Sequence, residues 1–240
     1  MVCLVVVVAG AWAAGGKQYR DFTSADGKTI RGCIKAYNPA KKMVTIERDN
    51  RKTAKVSITV FSETDQAYIR DWGVLRNFVQ GSTFKISARR KRCDNDGESD
   101  KTHYIEKDVT DTHYEILLEN KSVSKLKGIE LKYCIYYEQE EGKACNQGVY
   151  CGDLPIESIN PASSKTLLTE VVSTYTAELS GNARYTSGKS NVQRGDVHGI
   201  WIRVHLKLPS GQKGTREFCY PDSLNNSRAW VSSSIRAGMN

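Results

Sequence analysis

From Tyr19 to Gly73 apolar and polar residues alternate with a period of two and are interrupted by turn-forming residues, the pattern of half-buried antiparallel strands. Arg20 to Ser24 predicts a first strand that ends at Asp26-Gly27, a dipeptide that tolerates the positive φ of a tight hairpin. Ile30, Gly32, Ile34 and Ala36 fall on one side of a second strand, closed by Asn38-Pro39 because proline supplies no ladder donor. Val44 and Ile46 keep the period in a third strand, and Asp49-Asn50 turns the chain into a fourth with Ala54, Val56 and Ile58. The period then changes. Ser62-Glu63-Thr64-Asp65 is a capping-box-like helix start, Tyr68, Ile69 and Trp72 share one helical face, and Gly73 supplies the stop. The stretch predicts a small β-barrel sealed by a helix with Trp72 buried.

Beyond Val79 to Ser82 the pattern describes a second, larger β unit. Phe84, Ile86 and Ala88 alternate along one strand, His113 to Glu119 forms another, and Ile129, Leu131, Tyr133, Ile135 and Tyr137 share one face of a third. Ile156 to Ile159, Leu167 to Leu179, Ile200 to Leu208 and Thr215 to Tyr220 come next, the last two joined by the Pro209-Ser210-Gly211 turn. Such a series with no strong helix predicts a two-sheet sandwich. The Asn120-Lys121-Ser122 turn resembles turns of immunoglobulin-like or fibronectin-like domains in bacterial envelope proteins. The expected fold is mainly β: a small SH3-like barrel with one capping helix over residues 17–75, then an immunoglobulin-like antiparallel β-sandwich over 83–240.

The first unit resembles a known family. Phe22, Ala25-Asp26-Gly27-Lys28-Thr29-Ile30, Lys42-Met43-Val44-Thr45-Ile46, the Val56 to Phe61 strand and Phe61-Ser62-Glu63-Thr64-Asp65-Gln66-Ala67-Tyr68 are similar to the first SLA homology domain. That domain is named after a yeast endocytic adaptor and also occurs in bacterial exported proteins. The resemblance implies an SH3-like barrel and, in the adaptor, binding of Asn-Pro-Phe-x-Asp peptides and association with endocytic, cytoskeletal and ubiquitin partners. An acidic peptide needs a facing cation, which Lys28, Arg31 or Arg48 would supply. With Phe22 and Tyr37 these make the expected peptide groove.

Val2 to Ala9 is a short apolar run followed by Ala11-Trp12-Ala13, an A-x-A-type signal, so residues 1–13 read as a secretory leader although no positive charge precedes the run. A buried first strand is the competing reading. The run is shorter than the ~20 residues that span a bilayer, and no transmembrane segment is expected. The leader implies an exported protein, whether periplasmic, envelope-bound or extracellular. The net charge of +8 is spread along the chain, which favours solubility and weak polyanion contact over a dedicated nucleic-acid site. In an exported chain Cys33, Cys93, Cys134, Cys145, Cys151 and Cys219 can pair, and Cys145 with Cys151, bracketing a short Gly-containing loop, is the pairing expected. Zinc at that pair is the competing reading, with no second tight pair to complete a site.

The remaining chemistry has plainer readings beside it. Asp94 to Asp100 gathers carboxylates as a calcium loop does, without its spacing, so a solvated hairpin tip balancing Arg89 to Arg92 is preferred. On a strand only alternate members of that basic run share a face, which argues for a charged edge rather than a polymer-binding patch. His198 and His205, an odd number apart, should point to opposite faces. No motif assembles a nucleophile, a base and an orienting group, and no cofactor is expected. Arg194-Gly195-Asp196 spells the tripeptide read by integrins but arises easily by chance in a loop rich in Gly, Ser and Asn, and Asn120-Lys121-Ser122 and Asn225-Asn226-Ser227 fit the glycosylation sequon, which would mean nothing in a bacterial protein. The expectation is a non-enzymatic exported protein that binds a protein or peptide partner, or alternatively a structural envelope assembly protein.

Overall fold

The computed structural model describes residues 19–94, 100–101, 105–179 and 191–231, and it is mainly β with antiparallel sheets. The expected leader over residues 1–13, most of the acidic Asp94 to Asp100 stretch and His103 lie outside the described residues.

β1 (Arg20–Thr23), β2 (Thr29–Asn38), β3 (Met43–Arg48) and β4 (Thr53–Ser57) form a four-stranded meander in that order. Its two ends meet. A bridge joins Ser24 to Phe61, and Ala25 N donates to Val60 O while Ser62 N donates to Thr23 O. Phe22, Val44, Ile46, Ile58 and Phe61 fill the interior, as their alternation requires. The predicted phase fails at one place: the pairing slips between Ile34 and Ala36, so Lys35 is the extra residue of a bulge. Ala36 is therefore exposed, and Tyr37 turns toward the core instead.

The helix α1 (Glu63–Gln80) starts as its cap predicts, with Ser62 Oγ accepting from Asp65 N at 3.3 Å. Buried Asp65 is tied back to the meander, accepting from Thr23 N at 2.7 Å and from Arg20 at 2.5 Å. The expected stop at Gly73 is overturned: the helix runs on to Gln80 and ends at Gly81, whose φ of 75° is the left-handed cap. Gly73 answers a packing need, because a Cβ there would lie 2.6 Å from the Tyr37 ring. The roughly 1 kcal/mol that glycine costs in a helix is offset by the turns beyond it, where Leu75 and Phe78 enter the larger core. One helix thus seals the small core with Ile69 and joins the large one with its last turns.

Two further sheets enclose that larger core. In one, β7 (Ile105–Asn120) is central: β5 (Phe84–Asp94) and β6 (Asp100–Lys101) pair along one edge, and β10 (Ser163–Leu168) and β11 (Val172–Leu179) along the other. β12 (Val192–Gln193) lies beyond β11. The second sheet runs β14 (Lys213–Tyr220), β13 (Gly195–Lys207), β8 (Leu126–Glu141), β9 (Ala144–Ile159). Inward residues Ile116 and Leu118 from one sheet and Leu131, Tyr133, Ile135, Ile202 and Val204 from the other make a single core. The strand expected over Leu167 to Leu179 is broken because Thr169 Oγ1, not a backbone carbonyl, receives Tyr114 N at 2.9 Å. The Gly-containing loop expected at Cys145 to Cys151 is strand as well. Gly148 and Gly152 face Tyr137 and Tyr133 across the β8–β9 ladder, where the tyrosine rings lie over the space a Cβ would fill. After β14 the chain makes α2 (Leu224–Ser227), and residues through Val231 cover the outer face of the second sheet.

Candidate functional site

A cleft of about 330 Å³ opens where β2, α1 and the β7–β8 turn converge. The bulge at Lys35 sets one wall by turning Tyr37 toward α1, beside Ala36 and Pro39. The helix sets the floor: Arg70, Gly73, Val74, Asn77 and Gln80 recur at helical spacing along its exposed side, flanked by Trp72 and Arg76. The third wall is Ser124. It is fixed by buried Asn120, whose amide donates to Ser124 O at 2.8 Å, Asn160 O at 3.0 Å and Ile159 O at 3.2 Å, while its oxygen accepts from Ser122 N and Oγ.

The cleft is positively charged. Among the described residues Lys35, Arg70 and Arg76 line it, and no carboxylate does. Lys35 Nζ lies 3.2 Å from Glu47 behind the wall. Arg70 donates to Gln66 at 3.1 Å, Arg76 stacks 5.1 Å from the Trp72 ring centre, and among the described residues no ion pair holds either arginine. An aromatic and aliphatic wall facing two exposed guanidinium groups can take an apolar side chain and, a few ångströms away, a carboxylate.

The structure redistributes the five residues expected in one groove. Tyr37 lines the cleft. Phe22 is fully buried against Phe61 and Tyr68 and cannot touch a ligand, a correction explained by its inward position opposite Ile30. Arg31 points outward toward Asp21, 3.9 Å away. Lys28 and Arg48 do converge, on the rim of a separate apolar cleft of about 120 Å³ floored by Ile30, Ile46, Val56 and Phe61. The helical row is hidden in the sequence because Gly73 reads as its end, although Arg70, Gly73, Asn77 and Gln80 have the spacing.

The other candidates are spread over the two larger sheets. Arg90 and Arg92 reach Asp196 at 2.8 and 3.9 Å, whereas Lys91 faces Glu115 at 3.5 Å, so the basic run divides between two faces as its alternation requires. The same pairing ties Asp196 of the Arg-Gly-Asp triplet into strand β13, and the flanking arginines hold its carboxyl below the usual range against the opposing effect of burial. His198 and His205 do not obey simple parity: the register slips between Val197 and Gly199, His198 turns to Glu138 at 2.9 Å, and both imidazoles lie on the outer face. Asn120 is too buried and too fully bonded to present its sequon. The Cys145–Cys151 pairing is overturned. The two lie on one extended strand and cannot reach each other, while Cys134 sits directly across the ladder from Cys151, Cα to Cα 4.1 Å, and bonds to it. Cys145 is exposed and free. Among the described residues no group of three or more His, Cys, Asp or Glu side chains is placed to hold a metal, and no helix is long and apolar enough to cross a membrane.

No protein-family model and no curated protein matches this chain. Among solved structures, the Northeast Structural Genomics Consortium target SoR45 is similar over 57% of this chain and 82% of that one, at 8% identity and a TM-score of 0.29, too low to carry an argument.

Proposed function

We propose that the protein is a non-enzymatic exported binding protein that takes an acidic segment of a protein partner in the cleft between β2, α1 and Ser124. The observation behind this reading is the placing of Tyr37, and of the largely buried Trp72 beneath Arg76, beside Arg70 and Arg76, with no carboxylate among the described lining residues. A segment carrying proline or an aromatic residue a few positions before an aspartate fits, with its apolar part against Tyr37 and Pro39 and its carboxylate on the guanidinium groups. The reading takes the meander as the SH3-like barrel of an SLA homology domain and the two-sheet unit as an immunoglobulin-like sandwich. The joined ends at Ser24 and Phe61 support the first, and the shared core of the two sheets supports the second. The Cys134–Cys151 disulfide supports an oxidising, exported setting.

Titrating isotope-labelled protein with an Asn-Pro-Phe-x-Asp peptide and with its Asn-terminated counterpart tests the reading. Amide shifts should cluster at Lys35, Tyr37, Arg70 and Asn77 for the acidic peptide and fade as salt is raised. Shifts centred on Lys28 and Arg48 would move the site to the smaller cleft, and none at millimolar peptide would remove the proposal. The alternative, an envelope assembly protein, draws on Leu168 and Val171, 58% and 47% exposed at the break between β10 and β11. It predicts concentration-dependent oligomers in sedimentation that Leu168→Ser disperses.

A further inference from the structure

The outward face of the first sandwich sheet carries a second chemistry. Tyr114, Ile116 and Leu118 point into the core, so His113 and Glu115 point out, and the ladder places Lys91 opposite His113 and Cys93 opposite Asp111. Cys93 Sγ lies 3.5 Å from His113 Nδ1. Both side chains are half-buried, and β5, which carries the cysteine, pairs among the described residues only with β7. The charged and polar groups nearest the pair on that face, by register among the described residues, are Lys91 from β5, Asp111 and Glu115 from β7, and Ser173 from β11, whose hydroxyl donates to Asp111 at 2.5 Å, with Arg89 further along β5 opposite Glu115. Lys91 reaches Glu115 at 3.5 Å.

The other described cysteines lack such a neighbour. Cys134 and Cys151 are bonded to each other and Cys33 is buried in the small unit. Burial, with Glu217 and Asp222, pushes the Cys219 thiol up to about 12, out of reach of neutral-pH chemistry. Cys145 is exposed, but desolvation and the Glu138 and Glu140 carboxylates push its thiol up as well.

We propose that Cys93 and His113 form a thiol-exchange site that accepts low-molecular-weight disulfides and holds one half as a mixed disulfide. The imidazole takes the thiol proton across the 3.5 Å contact, and the thiolate is the nucleophile. The Cys93 sulfur attacks one sulfur of the reagent, the reagent's S–S bond breaks as the new one forms, and the departing thiolate takes the proton back from the imidazolium. One disulfide replaces another, so the reagent is the only oxidant needed. Lys91 and Arg89 favour a reagent bearing carboxylates, such as oxidised glutathione.

The test uses the full chain with its Cys134–Cys151 bond intact, treated at pH 7 with oxidised glutathione or with the uncharged bis(2-hydroxyethyl) disulfide, and adduct formation at each cysteine is followed by peptide mass spectrometry. Cys93 should react about tenfold faster than Cys145 or more, and His113→Gln should remove about that factor at Cys93 alone. His113→Asn serves as the second variant, and the Cys145 rate and the melting temperature report that each variant is folded. Faster reaction at Cys145, or a folded His113 variant whose Cys93 rate is unchanged, overturns the proposal. A larger rate for oxidised glutathione than for the uncharged disulfide supports the role given to Lys91 and Arg89, and equal rates overturn that part.

Discussion

Replacing Asn120 by Ala removes the hub that shapes the β7–β8 turn and, through Ser124, one wall of the cleft. The Asn120 amide has two hydrogens shared among the carbonyls of Ser124, Ile159 and Asn160, and its oxygen receives two donors from Ser122. About four bonds therefore exist at once, each worth about 0.5 to 1.5 kcal/mol net, with a further penalty for any partner left buried and unpaired. The Ser124 and Asn160 contacts are only partly buried, so water can replace some of what is lost. The expected cost is about 3 kcal/mol. In a chain of 240 residues this lowers the melting temperature by about 6 to 12 °C. Thermal melting followed by tryptophan fluorescence measures it. Asn120→Asp sharpens the test, since it keeps shape and acceptor but sets an oxygen against three carbonyls, and it should destabilise at least as much as Ala. A shift under about 2 °C for Ala, or an Asp variant that melts like the parent, would refute the hydrogen-bond account.

Reduction of the Cys134–Cys151 bond, which spans 17 positions, should cost about 3 kcal/mol by relaxing the unfolded chain, so dithiothreitol lowers the melting temperature while Cys145→Ser leaves it unchanged. An unaltered melt under reduction would contradict the pairing. His205 is half-buried beside Thr215, and burial, aided by Lys132 and Arg203, holds its imidazole below the ordinary 6.5. The unfolded chain then binds the proton more readily, so this contribution is present above 6.5 and is lost as pH falls below it. His205→Gln should flatten the fall in melting temperature between about pH 7 and 5, and an unchanged slope would count against the assignment.

The strands were legible wherever a simple period held. Phe22, Val44 and Ile46 announced the small core, and Ile129 to Tyr137 announced one face of the large one. What stayed hidden depended on partners distant in sequence. The bulges at Lys35 and His198 shift the phase by one residue, and nothing local marks them. Gly73 reads as a stop until Tyr37 is seen against it, and Gly148 and Gly152 read as a loop until Tyr137 and Tyr133 are seen across the ladder. The disulfide obeyed the same rule: cysteines six positions apart looked like a pair, and cross-strand register chose another. The cleft was half visible, as Tyr37 alone, because its helical wall required the helix to continue past Gly73.

Peptide binding as proposed depends on Arg70 and Arg76 reading a carboxylate. Isothermal titration calorimetry at low salt, comparing the parent chain with the doubly substituted Arg70→Ser, Arg76→Ser chain, tests it most directly. Both side chains are exposed on α1, so the fold should survive the change. Loss of one charge-assisted contact of about 1.5 to 3 kcal/mol predicts an affinity for the acidic peptide at least about tenfold weaker, with the neutral peptide unaffected. Equal affinity of the two proteins for the acidic peptide would contradict the claim.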